Sequence, residues 1–144
     1  MYIPQINNNY NYPTFQAYEK TFVIIKPDAV RRNIEEVILD KIKNSGLEIL
    51  DEWSGIAPRR MVEGNYIQYK EKPFFKEWID FMMSGRLRAI VLGGDDAISR
   101  ASKIKQEVRR EYASSSEKRL NLIHSSDDIE SARKEIANYL DTKI

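Results

Sequence analysis

The sequence predicts an α+β domain in which helices cover a sheet of about four strands. Two observations carry this prediction. Short runs of β-favouring apolar residues recur along the chain, and amphipathic stretches with helical spacing separate them. The length of 144 residues, with 42% hydrophobic content, is enough for one domain with a core and too short for two.

Strand and helix signals alternate in the first half of the chain. Residues 21–25 form an unbroken apolar run, typical of a strand buried on both faces, and residues 27–28, Pro-Asp, predict a turn after it. Residues 34–46 have the apolar spacing of an amphipathic helix that ends at Asn-Ser-Gly. Residues 47–53 alternate like a half-exposed strand, and residues 58–69 predict a further helix that opens at a proline.

The second half continues the same alternation. Residues 74–83 predict a short aromatic helix, and residues 87–92 a third strand that ends in a Gly93-Gly94 turn. A charged helix is expected over residues 95–112, a last strand over 120–123, and a final helix through Leu140, capped by Ser-Asp-Asp. This order fits a ferredoxin-like split βαβ arrangement with an antiparallel sheet.

The chain divides into a short arm and a domain. Residues 1–18 are rich in Asn, Tyr, Pro and Gln, and the first charged side chain is Glu19. Such a segment cannot bury enough apolar surface to fold alone, so we expect an arm that is either a flexible tail or docked through its tyrosines. Residues 19–144 are expected to form the domain.

Composition excludes several classes of function. The 23 Lys and Arg residues against 22 Asp and Glu residues leave a net charge of +1, which predicts no specific nucleic-acid partner. The absence of cysteine excludes disulfides and thiolate sites, and one histidine cannot build a multi-histidine metal site. No apolar stretch approaches the roughly 20 residues that span a bilayer, and no signal-peptide pattern opens the chain, so we expect a cytoplasmic protein with no membrane association.

The candidate functional residues lie near the predicted strand ends. His124, the one histidine, follows the last predicted strand, with Asn121 three positions before it and Glu135 eleven positions after it. A lone histidine is more often structural, but a carboxylate on the following helix could orient its ring. Lys26 ends the first strand, and either Phe74 or Phe75 could stack on a nucleobase.

Several motifs in this order resemble the nucleoside diphosphate kinase family over about Tyr18 to Leu140. The resemblance rests on five segments: Thr21 to Arg32, Tyr66 with Lys72-Pro73-Phe74-Phe75, Ser84-Gly85, Asn121 to Asp127 with its His-x-Ser-Asp signature, and Glu130 to Ile136.

The resemblance implies a phosphotransferase, a nucleoside diphosphate kinase that works by a ping-pong mechanism. The γ-phosphate of a nucleoside triphosphate would pass to His124 and then to a nucleoside diphosphate. Glu135, with Ser126, would orient the imidazole ring, and Lys26 and Tyr66 would meet the transferring phosphoryl group.

For the nucleotide, the resemblance implies that Phe74 stacks on the base, that Asn121 contacts the sugar end, and that Arg109 binds phosphate. Mg²⁺ would arrive on the nucleotide phosphates without a protein metal site of its own. The partners expected are nucleoside di- and triphosphates and further copies of the chain, in a homo-oligomer that is a dimer or larger.

The sequence departs from the family pattern between the third strand and His124. The first of two family arginines aligns with Ser102, and a Gly-x-Thr-Asn-Pro stretch is missing, which predicts a shortened loop and weaker nucleotide binding. The second arginine corresponds to Arg109, with Arg110 as its rival. Arg100, Lys103 and Lys105 are the candidates to replace the lost arginine, although a lysine cannot bind phosphate in the bidentate way of a guanidinium.

Two other interpretations compete with an active kinase. A catalytically weakened family member would bind nucleotides or partners with poor turnover. An RNA-binding module on the same sheet would need exposed paired aromatics on its central strands, which this sequence does not supply.

Overall fold

The computed structural model describes residues 18–113 and 120–142, and within them a four-stranded sheet forms the centre of the fold. The strands are β1 (Tyr18–Ile25), β2 (Glu48–Gly55), β3 (Leu87–Asp95) and β4 (Ile123–Ser125). Their order is β2-β3-β1-β4, and every neighbouring pair is antiparallel. The predicted α+β class with a four-stranded antiparallel sheet is confirmed.

Six α-helices and one 3₁₀ turn connect these strands within the described residues. The helices are α1 (Pro27–Arg31), α2 (Glu35–Asn44), α3 (Arg59–Asn65), α4 (Phe75–Met82), α5 (Ala97–Tyr112) and α6 (Ile129–Thr142), and the 3₁₀ turn is Ile67–Tyr69. None of these helices has both the length and the apolar character that a membrane span needs.

Strand β1 is buried on both faces over residues 21–25, as its run of β-favouring residues predicts. Val23 and Ile25 join a core with α2 and α5 on one face, whereas Phe22 and Ile24 join a second core with α3, α4 and α6 on the other. Alternation along an extended strand sends successive side chains to opposite faces. As a result, β1 is the central support of the domain, and its end carries Lys26.

Two local predictions were wrong. Gly93 and Gly94 extend β3 instead of turning the chain, and Gly93 pairs with both Lys20 and Glu48. A side chain at Gly93 would collide with the ring of Tyr18, so the glycine permits a close cross-strand approach. The chain turns two residues after Gly94, at Asp96, which has a positive φ of 52° before α5 begins.

The last strand lies later than predicted. His124 is the middle residue of β4 and pairs with Ile24, whereas the sequence placed it just after a strand over residues 120–123. The difference arises because Leu122 takes a left-handed conformation with φ of 75°, which ends the loop and lets the strand begin at Ile123. His124 is therefore fixed by a backbone ladder rather than by a loop.

Candidate active site

The predicted site residues converge on one polar cleft at the end of β1, with a volume of about 230 Å³. Six of the seven predicted residues line this cleft: Lys26, Tyr66, Arg109, Asn121, His124 and Glu135. They come from the end of β1, the end of α3, α5, the loop before β4, β4 itself and α6. The fold thus gathers residues separated by more than one hundred positions in the sequence.

His124 is held by the carboxylate of Glu135. The His124 Nε2 atom lies 2.5 Å from Glu135 Oε1, and the two side chains are 25% and 13% exposed. Ser126, fully buried, donates its hydroxyl to the same Glu135 oxygen at 3.2 Å and accepts the Phe22 backbone N–H at 3.3 Å. The carboxylate is therefore fixed from two sides, and it fixes the ring in turn.

This contact decides which nitrogen of the imidazole is available. A carboxylate accepts hydrogen bonds, so in the neutral ring the proton belongs on Nε2, facing Glu135. Nδ1 then keeps its lone pair, which is the state in which an imidazole nitrogen can act as a nucleophile. Because the carboxylate accepts the Nε2 proton, it also stabilises the positive charge that the ring gains when Nδ1 forms a bond.

Lys26 is a buried cation at the base of the cleft. Its side chain is 3% exposed, and Nζ donates to Asn121 Oδ1 at 2.8 Å. Burial lowers the pKa of Lys26 to about 8; the negative charge of Asp28 opposes this shift and the positive charge of Arg109 adds to it. An ammonium that has lost much of its hydration is poised to bind an anion.

Two backbone contacts hold the strained residue Leu122 in the loop that precedes His124. The Leu122 N–H donates to Asp28 Oδ2 at 3.1 Å, and its carbonyl accepts the Lys26 N–H at 2.9 Å. A positive φ in a leucine costs roughly 1–3 kcal/mol and persists only where the surroundings impose it. Asp28 is thus a support of the site that the sequence did not single out.

Arg109 has two of its donors engaged with the same loop. Its Nη2 atom donates to the Ile123 carbonyl at 2.8 Å and its Nε atom to the Asn121 carbonyl at 3.3 Å. Burial lowers the pKa of Arg109. Arg110, the rival phosphate ligand in the sequence, is exposed and does not line the cleft. Of the two arginines, Arg109 therefore lies in the cleft, and its contacts give it a positioning role that the sequence did not predict.

An aromatic cluster forms the other wall. Tyr66 is 7% exposed, burial raises its pKa, and its ring packs edge-on against Trp78 with centroids 5.6 Å apart. Phe74 does not line the cleft itself, but its ring lies 5.0 Å from Trp78 and 5.8 Å from Tyr69, both of which do. Phe75 packs against the core instead, so of the two phenylalanines Phe74 is the one beside the site.

Sequence reasoning gave no role to several lining residues. Tyr69, Trp78 and Asp127 belong to the cleft, and the signal that could have found the first two is their spacing of three and four positions from Tyr66 and Phe74. Lys105, one of the three candidates to replace the lost ligand, also lines the cleft. A larger groove of about 780 Å³ shares Asp127 with the cleft but contains none of the seven predicted residues. The chemistry therefore lies in the smaller space.

The antiparallel sheet and the cationic cleft with its aromatic wall define a nucleotide-binding phosphotransferase. The chain belongs to the nucleoside diphosphate kinase family, whose model matches residues 19–144. Its activity is accordingly phosphoryl transfer between a nucleoside triphosphate and a nucleoside diphosphate.

Individual relatives agree over most of the chain. A nucleoside diphosphate kinase of Oleidesulfovibrio alaskensis is 38% identical over 131 residues, which is 84% of this chain and 93% of the relative. The crystal structure of the Aquifex aeolicus enzyme superposes with a TM-score of 0.74 at 34% identity, covering 85% of this chain and 95% of that one. The Halobacterium salinarum enzyme, solved in complex with CDP, gives a TM-score of 0.73 at 28% identity, covering 85% and 88%.

Proposed function

We propose that the phosphoryl group passes through His124 in a ping-pong reaction. The observation that carries this proposal is the contact between Nε2 and Glu135, which leaves Nδ1 as the nucleophile in a cleft lined by cations. Neutral imidazole needs no prior deprotonation to attack, so the histidine works near neutral pH.

In the first half-reaction, Nδ1 of His124 forms a bond to the γ-phosphorus and the bond from that phosphorus to the bridging β-oxygen breaks. The nucleoside diphosphate leaves, and Nε2–H remains bonded to Glu135, which offsets the charge on the phosphorylated ring. In the second half-reaction, a β-phosphate oxygen of another diphosphate attacks the phosphorus and the P–N bond breaks. Atoms and charge balance without any further reactant.

Lys26, Arg109 and Tyr66 are proposed to stabilise the transferring group. Negative charge spreads over the phosphoryl oxygens in the transition state, and fixed donors in a partly desolvated cleft stabilise it most. A bound phosphate would raise the pKa of Lys26 from about 8 and hold it as an ammonium. The raised pKa of Tyr66 keeps its hydroxyl protonated as a donor.

Phe74 and Asn121 are proposed to bind the nucleoside. A base stacked on Phe74 would extend the aromatic cluster of Tyr69 and Trp78 without reading a base edge, so several bases would be accepted. Asn121 has its Oδ1 engaged by Lys26, and its amide N–H groups are the donors left for the sugar. The Halobacterium salinarum enzyme was solved in complex with CDP, which supports a nucleotide as the ligand.

Mg²⁺ is proposed to enter with the nucleotide as part of the substrate. No group of three Asp, Glu or His side chains within residues 18–113 and 120–142 could hold a metal ion. Asp127, exposed at the edge of the cleft, is the carboxylate that could contact a metal already held by phosphate oxygens. The ion would neutralise phosphate charge there.

The remaining predictions concern assembly and the ends of the chain. A homo-oligomer is supported by β2, which is an edge strand of the sheet that the described residues form and which exposes Ile49 and Leu50, since a strand edge with exposed apolar side chains favours pairing with a second copy. The shortened loop before His124 stays a prediction, because residues 114–119 lie outside the described residues. The proposed arm falls mostly outside them as well, and Tyr18 is the first residue of β1.

The histidine relay is tested by labelling. Purified protein is incubated with γ-labelled ATP and Mg²⁺, quenched, and examined for acid-labile, alkali-stable label in the unmodified protein and in His124→Ala. We expect label on the unmodified protein alone, and its transfer to added GDP.

Equal label on both proteins would assign the phosphoryl carrier to another residue. Absence of label on a folded, nucleotide-binding protein would favour the weakened family member instead.

A further inference from the structure

We propose that Lys105 binds the phosphates of the nucleotide in place of the arginine that the family pattern would put at Ser102. The inference rests on the proposed function, because it assigns a further ligand to the same substrate. It starts from the three cations that the sequence left open, Arg100, Lys103 and Lys105, which the structure separates by position.

Arg100 and Lys103 point away from the cleft. The Arg100 Nη1 atom donates to the Ser45 carbonyl at 3.0 Å, so its guanidinium ties α5 to the end of α2. Lys103 is exposed and lines two other grooves, one of them shared with Arg100. Neither residue lines the cleft that holds His124.

Lys105 lines that cleft. It lies four positions before Arg109 on α5, so both side chains project from one face of the helix. Its side chain is only 14% exposed. A lysine in this position buries its stem against the protein and presents its charge at the polar end.

The present partner of Lys105 is easily exchanged. Its Nζ atom lies 3.6 Å from Asp127 Oδ1, a distance longer than a hydrogen bond, and the Asp127 side chain is 83% exposed. An ion pair with a solvated carboxylate contributes little stability. A phosphate carries more charge and several strong acceptors, so it competes well for the ammonium.

The charge balance of the cleft supports an anionic ligand at this position. Lys26, Arg109 and Lys105 bring three cations to the cleft, while Glu135 is engaged by His124 and Ser126. Among the described residues, Asp127 is the carboxylate paired with Lys105. Because part of the Arg109 guanidinium donates to backbone carbonyls, the Lys105 ammonium would add donors for phosphate oxygens beside those of Lys26 and Arg109.

The experiment compares Lys105→Met with Lys103→Met, a matched change two positions away on the same helix. Binding of ADP is measured by calorimetry, and KM and kcat are measured separately for ATP. We expect Lys105→Met to weaken ADP binding and raise KM by roughly ten- to hundred-fold, the usual effect of losing a hydrogen bond between charged groups. Lys103→Met should behave like the unmodified protein, and Lys105→Arg should recover most of the affinity.

A double variant separates phosphate binding from mere neutralisation of Asp127. If Lys105 only screens Asp127, then Lys105→Met combined with Asp127→Asn would bind ADP as tightly as the unmodified protein, which would overturn the inference. If Lys105 contacts phosphate, the double variant stays weak. Unchanged ADP affinity in Lys105→Met would also overturn it.

The labelling of His124 is scored separately from ADP binding. Loss of the histidine relay with a normal Lys105 effect would refute the proposed mechanism alone, and an intact relay with no Lys105 effect would refute this inference alone.

Discussion

Burial of Lys26 predicts that removing its charge stabilises the fold while it damages the enzyme. The pKa of Lys26 falls from 10.5 to about 8 in the folded chain, chiefly because burial strips water from the ammonium. The unfolded chain therefore binds a proton more readily, and at about pH 7 this costs the folded state about 3 kcal/mol. In Lys26→Met this cost disappears, although Asn121 Oδ1 loses its donor at a cost of about 1–3 kcal/mol.

The pH dependence isolates the protonation of Lys26, because the methionine of the variant does not titrate. Between pH 8 and 10.5 the lysine of the folded protein is mostly neutral while that of the unfolded chain is still protonated, so the stability of the unmodified protein rises with pH in this window. From about pH 7 to about pH 9.5 the penalty falls by about 2 kcal/mol. The stability of Lys26→Met relative to the unmodified protein should fall by that amount.

The assay is urea unfolding of both proteins at the two pH values. Lys43→Met, which removes an exposed lysine at the end of α2, serves as the control and should show no such pH-dependent difference. If the free energy of unfolding of Lys26→Met relative to the unmodified protein stays constant or grows with pH, the assignment of a lowered pKa to Lys26 is refuted. Nucleotide binding measured on the same samples should be weakened throughout, since the phosphate contact is lost.

Two further substitutions test the supports of His124. Glu135→Gln should slow phosphorylation of His124 in single-turnover experiments by roughly ten- to hundred-fold, because the ring loses the charge that favours its bonded form; an unchanged rate would exclude that role. Arg109→Lys should lower the free energy of unfolding by about 1–3 kcal/mol in urea, since a lysine cannot donate to the carbonyls of Asn121 and Ile123 together. A loss below about 0.5 kcal/mol would mean that these bonds do not hold the loop.

The fold could be predicted because its signals are local. The apolar run of β1 indicated a strand with both faces covered, and Val23 and Phe22 do face separate cores. The glycine pair within β3 misled the prediction because glycine serves two purposes. It turns a chain, and it also leaves room for a neighbouring side chain to lie against the strand, and the second reason applies at Gly93, where the Tyr18 side chain lies. Sequence spacing cannot distinguish these purposes, since the neighbour comes from a distant segment.

The site was predictable where its contacts join side chains, as between His124 and Glu135, but not where they involve the backbone. His124, Glu135 and Lys26 were found from their motifs, and they do share a cleft. The contact of Arg109 with two backbone carbonyls could not be predicted from the sequence, because every residue carries the same backbone acceptor. The same holds for Asp28, whose carboxylate binds a backbone N–H of a loop that is distant in sequence.

These backbone contacts explain how the enzyme can hold a histidine on the shortest strand of its sheet. Three residues of β4 give few ladder bonds, and the loop before them contains Leu122 in a strained conformation. Asp28 and Arg109 bind that loop from two sides, one as an acceptor and one as a donor. Because Arg109 already donates two of its N–H groups to this loop, fewer of them can bind phosphate oxygens. A second cation on α5 would add donors, and Lys105 lies one turn earlier on the same face of the helix.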